Sequence, residues 1–148
     1  MGKRKVVSKT EDTAEVGKGK PSSLTAKPKI SSKSVHSGRI YIKVSYNNTL
    51  MTVTDDRGSV LAWASAGSLG FSGPKKATPF AAQKVVAAIA EKINKTGPFN
   101  VEVLVSGVGG GRDSAIRSLV NHGFNVLSIK DITPIPHNGP KPPKVRRV

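Results

Sequence analysis

Apolar and polar residues alternate along Arg39-Ile40-Tyr41-Ile42-Lys43-Val44-Ser45, placing Ile40, Ile42 and Val44 on one face and Lys43 on the other. A period of two marks a half-buried strand. Asn47-Asn48 reads as a turn, since Asn tolerates left-handed backbone. Leu50 to Asp55 predicts a second strand, Asp56-Arg57-Gly58 a second turn, and Val60 to Ala66, with the only Trp, a third strand. Such short turns imply an antiparallel meander.

The period then changes. After a connection over residues 67–77, Thr78 is a candidate N-cap and Pro79 suits the first helical position. From Pro79 to about Thr96, Ala82, Val85, Val86, Ile89 and Ile93 form one stripe. Lys84, Glu91 and Lys95 fall opposite, with Glu91 and Lys95 as a favourable pair one turn apart. Gly97-Pro98 stops the helix. Val101 to Val105 is a short apolar strand, followed by the glycine loop Gly107-Val108-Gly109-Gly110-Gly111-Arg112. Asp113 or Ser114 is expected to cap a second helix that buries Ile116, Leu119 and Val120. Gly123 ends it, and Val126 to Ile132 supplies a last strand. The order βββαβαβ makes each helix a crossover, with the last two strands parallel to the first. The expected fold is α/β, a mixed five-stranded sheet in the order 3-2-1-4-5 with helices packed against it.

Both ends of the chain lack such patterning. Residues 1–34 are rich in Lys, Ser, Thr, Gly and Pro and bury too little apolar surface to offset chain entropy, so they read as a disordered basic arm. The tail from Pro134 to Val148 holds five of the ten prolines, which fix φ and remove amide donors, and should run extended. The chain thus divides into an arm over 1–34, a domain over 35–131 and a Pro-rich basic tail over 132–148.

Charge narrows the class of partner. Formal charge is +15, from 24 Lys and Arg against 9 Asp and Glu. The arm carries nine basic and three acidic residues, and the tail four basic and none acidic, so positive charge is densest at the ends. A polyanion is the natural partner, because each phosphate neutralised by Lys or Arg releases counterions. Absence of Cys excludes disulfides and thiolate metal sites, and His36, His122 and His137 show no metal-ligand spacing. No apolar run approaches the roughly 20 residues of a membrane span. The start Met-Gly-Lys-Arg-Lys-Val has no secretory apolar segment and fails the myristoylation pattern at Val6, and Glu11, Asp12 and Glu15 argue against a transit peptide. A soluble cytoplasmic protein is the simplest expectation, with no cofactor.

Three segments carry candidate chemistry. In the glycine loop several amides can converge on one phosphate before a helix N-terminus, with Arg112 closing the site; the alternative is a βα loop without a ligand. It lacks the Gly-Lys-Ser/Thr of a Walker loop and the Gly-x-Gly-x-x-Gly of a dinucleotide site. In the 67–77 connection, Phe71 can stack on an unpaired base while Lys75 and Lys76 contact phosphate. Alternatively Phe71 tucks into the core and the lysines are merely solvated. The tail, with Lys141, Lys144, Arg146 and Arg147, suits a semi-rigid cationic strap, or else a solubility tail. A two-metal nuclease needs converging carboxylates, whereas Asp55 and Asp56 sit at a hairpin and Glu102 and Asp131 are singletons. A free architectural nucleic-acid binder is the remaining alternative.

At these residues the chain resembles the bacterial-type small-subunit ribosomal protein eleven family. The matching text is Ser45-Tyr46-Asn47-Asn48-Thr49, Gly70-Phe71, Lys76 through Ala82, Gly107 through Arg112, Asp131 through Gly139 and Pro142 through Val148. The resemblance implies a ribonuclease H-like fold without nuclease activity, seated on the small-subunit platform near the exit-site messenger path. It implies small-subunit (16S-type) ribosomal RNA as partner and small-subunit proteins six, seven, eighteen and twenty-one as neighbours. The family's RNA contacts map onto Asn47, Asn48, Phe71, Ser72, Lys75, Lys76, Gly107, Gly109, Gly110, Gly111, Arg112 and Arg117. In the tail they map onto His137, Asn138, Lys141, Lys144, Arg146 and Arg147, and Arg39 of the first strand completes the set. Two departures stand out. Val108 and Gly110 occupy positions where the family usually has proline, which should leave the free loop more mobile. Ser72 replaces a frequent Arg or Lys, removing one phosphate contact.

Overall fold

A computed structural model describes residues 36–94 and 97–145; the predicted arm, Lys95, Arg146 and Arg147 lie outside the described residues. Five strands and two helices follow in order: β1 (Ser37–Val44), β2 (Thr49–Asp55), β3 (Val60–Ser65), α1 (Pro79–Ile93), β4 (Asn100–Ser106), α2 (Gly111–Asn121) and β5 (Asn125–Asp131). They form one sheet in the order β3-β2-β1-β4-β5, the order that crossover reasoning predicts. β1 pairs antiparallel with β2 and parallel with β4, and β4 runs parallel to β5.

The register explains the core. Ile40 lies opposite Val53 on one side and Val103 on the other, and Ile42 opposite Met51 and Val105. All six are buried, on the face that receives Val85, Val86 and Ile89 of α1 and Leu119 of α2. Both helices pack against this face and against each other, giving two layers. Tyr41 and Lys43 point the other way, as a period of two requires. No described element covers that opposite face.

α1 begins as its sequence predicts. Thr78 Oγ1 accepts the Ala81 amide at 3.3 Å, and Pro79 follows at N1. It stops at Ile93, short of the expected Thr96, where the Gly97 amide meets the Ile93 carbonyl at 2.8 Å. α2 differs more. It starts at Gly111 with Gly110 at the N-cap, ahead of the expected cap at Asp113 or Ser114. Its buried stripe is Gly111, Ala115, Ser118 and Leu119, spaced as one helical face, so Val120 falls about 100° off that stripe and is exposed rather than buried. The connection before α1 contains two short 3-10 turns, Gly67–Leu69 and Gly73–Ala77. Residues 132–145 contain no helix or strand and are exposed apart from Thr133.

Candidate nucleic-acid interface

β1 and β4 end side by side, and the chain leaves them through two turns that stack on each other. After β1, the Ser45 hydroxyl gathers the Asn47 and Asn48 amides at 3.4 and 3.0 Å and donates to the Asn48 carbonyl at 3.1 Å. Asn48 uses its own carbonyl oxygen Oδ1 to hold the Thr49 amide at 3.0 Å. This is the side-chain-to-backbone bonding by which Ser and Asn favour turns. Tyr46 stands exposed at its tip.

The glycine loop lies directly against this turn. Gly107 has φ +88°, and a Cβ on it would fall 2.0 Å from the Val44 carbonyl oxygen; one on Gly109 would lie 2.7 Å from that of Ser45. These glycines therefore permit backbone to approach backbone. Gly110 is different, since a Cβ on it would make only ordinary contacts, 3.7 Å from the Ala77 carbonyl oxygen and 3.9 Å from Pro79. The loop thus bridges the Asn turn and the start of α1. No side chain caps α2, and the Arg112 amide bonds back to the Gly109 carbonyl at 3.4 Å, so the helix N-terminus is closed by loop backbone. Beneath Gly111, the buried Thr49 hydroxyl has no partner among the described residues.

Arg112 does not stand free at the loop. Its guanidinium donates to the Gly107 carbonyl at 3.0 Å and to Asp131 at 2.6 Å, using two of its five N–H donors. The other Asp131 oxygen accepts the Thr133 amide at 2.9 Å and hydroxyl at 2.6 Å, while the Gly107 amide donates back to Thr133 Oγ1 at 3.1 Å. The Thr133 hydroxyl and amide, then Arg112, hold the Asp131 carboxyl down at about 2. The clasp ties the glycine loop to the root of the tail. Read along the sequence, Asp131 is an isolated carboxylate and Thr133 has no role, although Asp-x-Thr at a strand end is a recognisable turn signature.

Phe71 is half-buried against the core and meets Phe80 edge-on at 6.0 Å and 79°, so the alternative reading of this ring as a core contact describes its position. Phe80 is the more exposed of the pair, and Lys84 lies 5.6 Å above its ring. Ser72 is extended and exposed, Lys75 is exposed, and Lys76 is half-buried. Lys75 and Lys76 close the 3-10 turn at the start of α1, where Thr78 Oγ1 donates to the Lys75 carbonyl at 2.7 Å.

The fold therefore gathers Asn47, Asn48, the glycines, Lys75, Lys76 and the tail root at the carboxyl ends of β1 and β4, where open α/β sheets commonly place ligands. Arg117 is exposed on α2, about 9 Å along the axis from Gly111. His137, Asn138, Lys141 and Lys144 are exposed on the tail, with Asn138 at φ +51°. Arg39 is not part of the cluster. It lies on the uncovered sheet face, 3.6 Å from its cross-strand neighbour Glu102.

Comparison with known proteins supplies the family. The family model described as Ribosomal protein S11 matches residues 38–147. Small ribosomal subunit protein uS11 of Solibacter usitatus is 51% identical over 135 residues, covering 91% of this chain and 98% of that protein. The protein of the same name from Treponema pallidum is 54% identical over 116 residues, 78% of this chain and 92% of its own. That from Desulfotalea psychrophila is 50% identical over 123 residues, 83% and 98% of the two chains. Matched across its whole sheet, both helices and the tail, the chain belongs to the Ribosomal protein S11 family.

Proposed function

We propose that this chain acts as a non-catalytic scaffold of the small ribosomal subunit, in the cytoplasm, by pressing the loops at one end of its sheet against ribosomal RNA. Membership of the family makes it a structural ribosomal component rather than an enzyme. The observation that carries the RNA-facing surface is the stacking of the glycine loop on the Asn turn beside Lys75 and Lys76. The α2 N-terminus and two lysines form a positive surface for phosphate oxygens.

In this reading Asn47, Asn48, Ser72, Lys75, Lys76, Arg117 and the glycine loop contact small-subunit ribosomal RNA on the platform. Phe71 supports Phe80 and the loop above it. Arg112 braces the loop and offers its remaining donors to phosphate. The arm over 1–34 and the tail, with His137, Asn138, Lys141, Lys144, Arg146 and Arg147, extend between RNA segments as cationic straps. Ribonuclease H-like topology, proximity to exit-site messenger RNA, a part in shaping where messenger and transfer RNA are held, and proteins six, seven, eighteen and twenty-one as neighbours all follow from the same family likeness.

The test is a salt titration. Lys75→Glu with Lys76→Glu should weaken binding to platform RNA and flatten the logarithmic salt slope by about 0.7–0.9 per lost contact. An unchanged slope in filter binding rejects this loop as a phosphate contact.

A further inference from the structure

The sheet face opposite the helices remains bare among the described elements, and its composition is unusual for a surface left in water. Across the register, Trp63, Thr52, Tyr41, Leu104 and Lys130 form one row from β3 to β5. The next row toward the glycine loop runs Ser65, Leu50, Lys43 and Ser106. Trp63 is 56% exposed, Tyr41, Leu50 and Leu104 are half-buried, and a shallow groove of about 260 Å³ runs among Tyr41, Lys43, Leu50 and Leu104 to Ile132. Lys92 of α1 donates to the Trp63 backbone carbonyl at 3.1 Å, which ties the edge strand to the helix layer.

Charge selects among occupants. The face carries Arg39, Lys43 and Lys130; Glu102 on its β4 strand is paired with Arg39, and at its far end the Asp56 carboxylate accepts the Ser37 hydroxyl. The chain's own arm and tail are themselves basic, at +6 and +4, so like-charge repulsion opposes folding either across this face. An anionic partner with flat apolar groups fits instead. Two aromatic side chains on strands two positions apart, about 10 Å, with Lys43 two residues beyond Tyr41 on β1 and Lys130 on β5, match the way sheet surfaces stack unpaired bases and neutralise their phosphates.

We infer that the uncovered sheet face is a second RNA-binding surface, taking an unpaired stretch of RNA with bases on Trp63 and Tyr41 and phosphates at Lys43 and Lys130. The inference rests on the chain being an RNA-binding ribosomal component, but it concerns a surface separate from the loop cluster.

Trp63 is the only Trp in the chain, so its emission reports this face alone. The full-length protein is titrated with a labelled oligoadenylate of about eight nucleotides, within the site sizes of such surfaces, following Trp63 emission and oligonucleotide anisotropy together. The expected result is quenching with the same midpoint as the anisotropy rise. Trp63→Ala should weaken binding about tenfold, as loss of one stacked base does, and Lys43→Glu with Lys130→Glu, both exposed, should abolish the quench. Three results overturn the inference. Anisotropy rising without quenching assigns RNA to the loops and tail only. Binding of a platform RNA fragment without binding of the oligoadenylate rejects an unpaired occupant, leaving the ribosomal reading intact. Equal quenching by polyglutamate makes the face a dock for an acidic protein segment. Failure to bind either RNA sinks the inference and the proposed function together.

Discussion

At the scale of single residues, the Asp131 clasp is the most specific feature of the loop end. A carboxylate that accepts from a hydroxyl, an amide and a guanidinium is stabilised in its charged form, which is why its pKa falls to about 2 from 3.8. Because the folded value is the lower one, the clasp's contribution to stability is complete above the unfolded value near 4. It is lost as pH falls through about 2. A carbon-detected NMR titration should give Asp131 a midpoint near 2. Thr133→Val should raise it more than Arg112→Lys does, since the Thr133 hydroxyl is the largest cause. A wild-type midpoint at the ordinary carboxylate value would show that the clasp does not form in solution. Residue identity foretold little of this. Arg112 looked like a phosphate clamp, and only the return of β5 beside β4 placed Asp131 within reach.

Elements were more legible, because each announces itself by a period and a stop signal. α1 combined a Thr cap, a Pro at N1 and an apolar stripe, and it buries every residue of that stripe together with Ala81 and Ala90. Ile89 is fully buried under the sheet, so Ile89→Ala should cost about 2–5 kcal/mol. Exposed Val120→Ser should change stability by no more than about 0.5 kcal/mol. Urea unfolding with an unchanged slope measures both. A loss at Val120 comparable to that at Ile89 would mean that α2 presents a different face to the core. α2 was harder to place from sequence because glycine at an N-cap leaves no side-chain signal, and its start is set by packing of the loop on β1. The bulges in β2–β3 and β4–β5 likewise carry no local mark.

For the whole molecule, the clasp makes the tail a strap with a defined root. Truncation after Thr133 keeps the Asp131 contacts, so removing residues 134–148 should leave the fold intact while impairing incorporation into small subunits. Circular dichroism checks the first expectation and sedimentation of reconstituted subunits the second; normal incorporation would count against the strap. Strand order, the buried face of α1 and the net charge that points to a polyanion were all readable along the chain, because alternation, helical periodicity and ionic character are local properties. Which loops meet was not. The contact of the glycine loop with the Asn turn, the diversion of Arg112 to Asp131 and the bare face shared by Trp63 and Tyr41 depend on strands far apart in sequence lying side by side. Only the closed hydrogen-bond register of the sheet decides that.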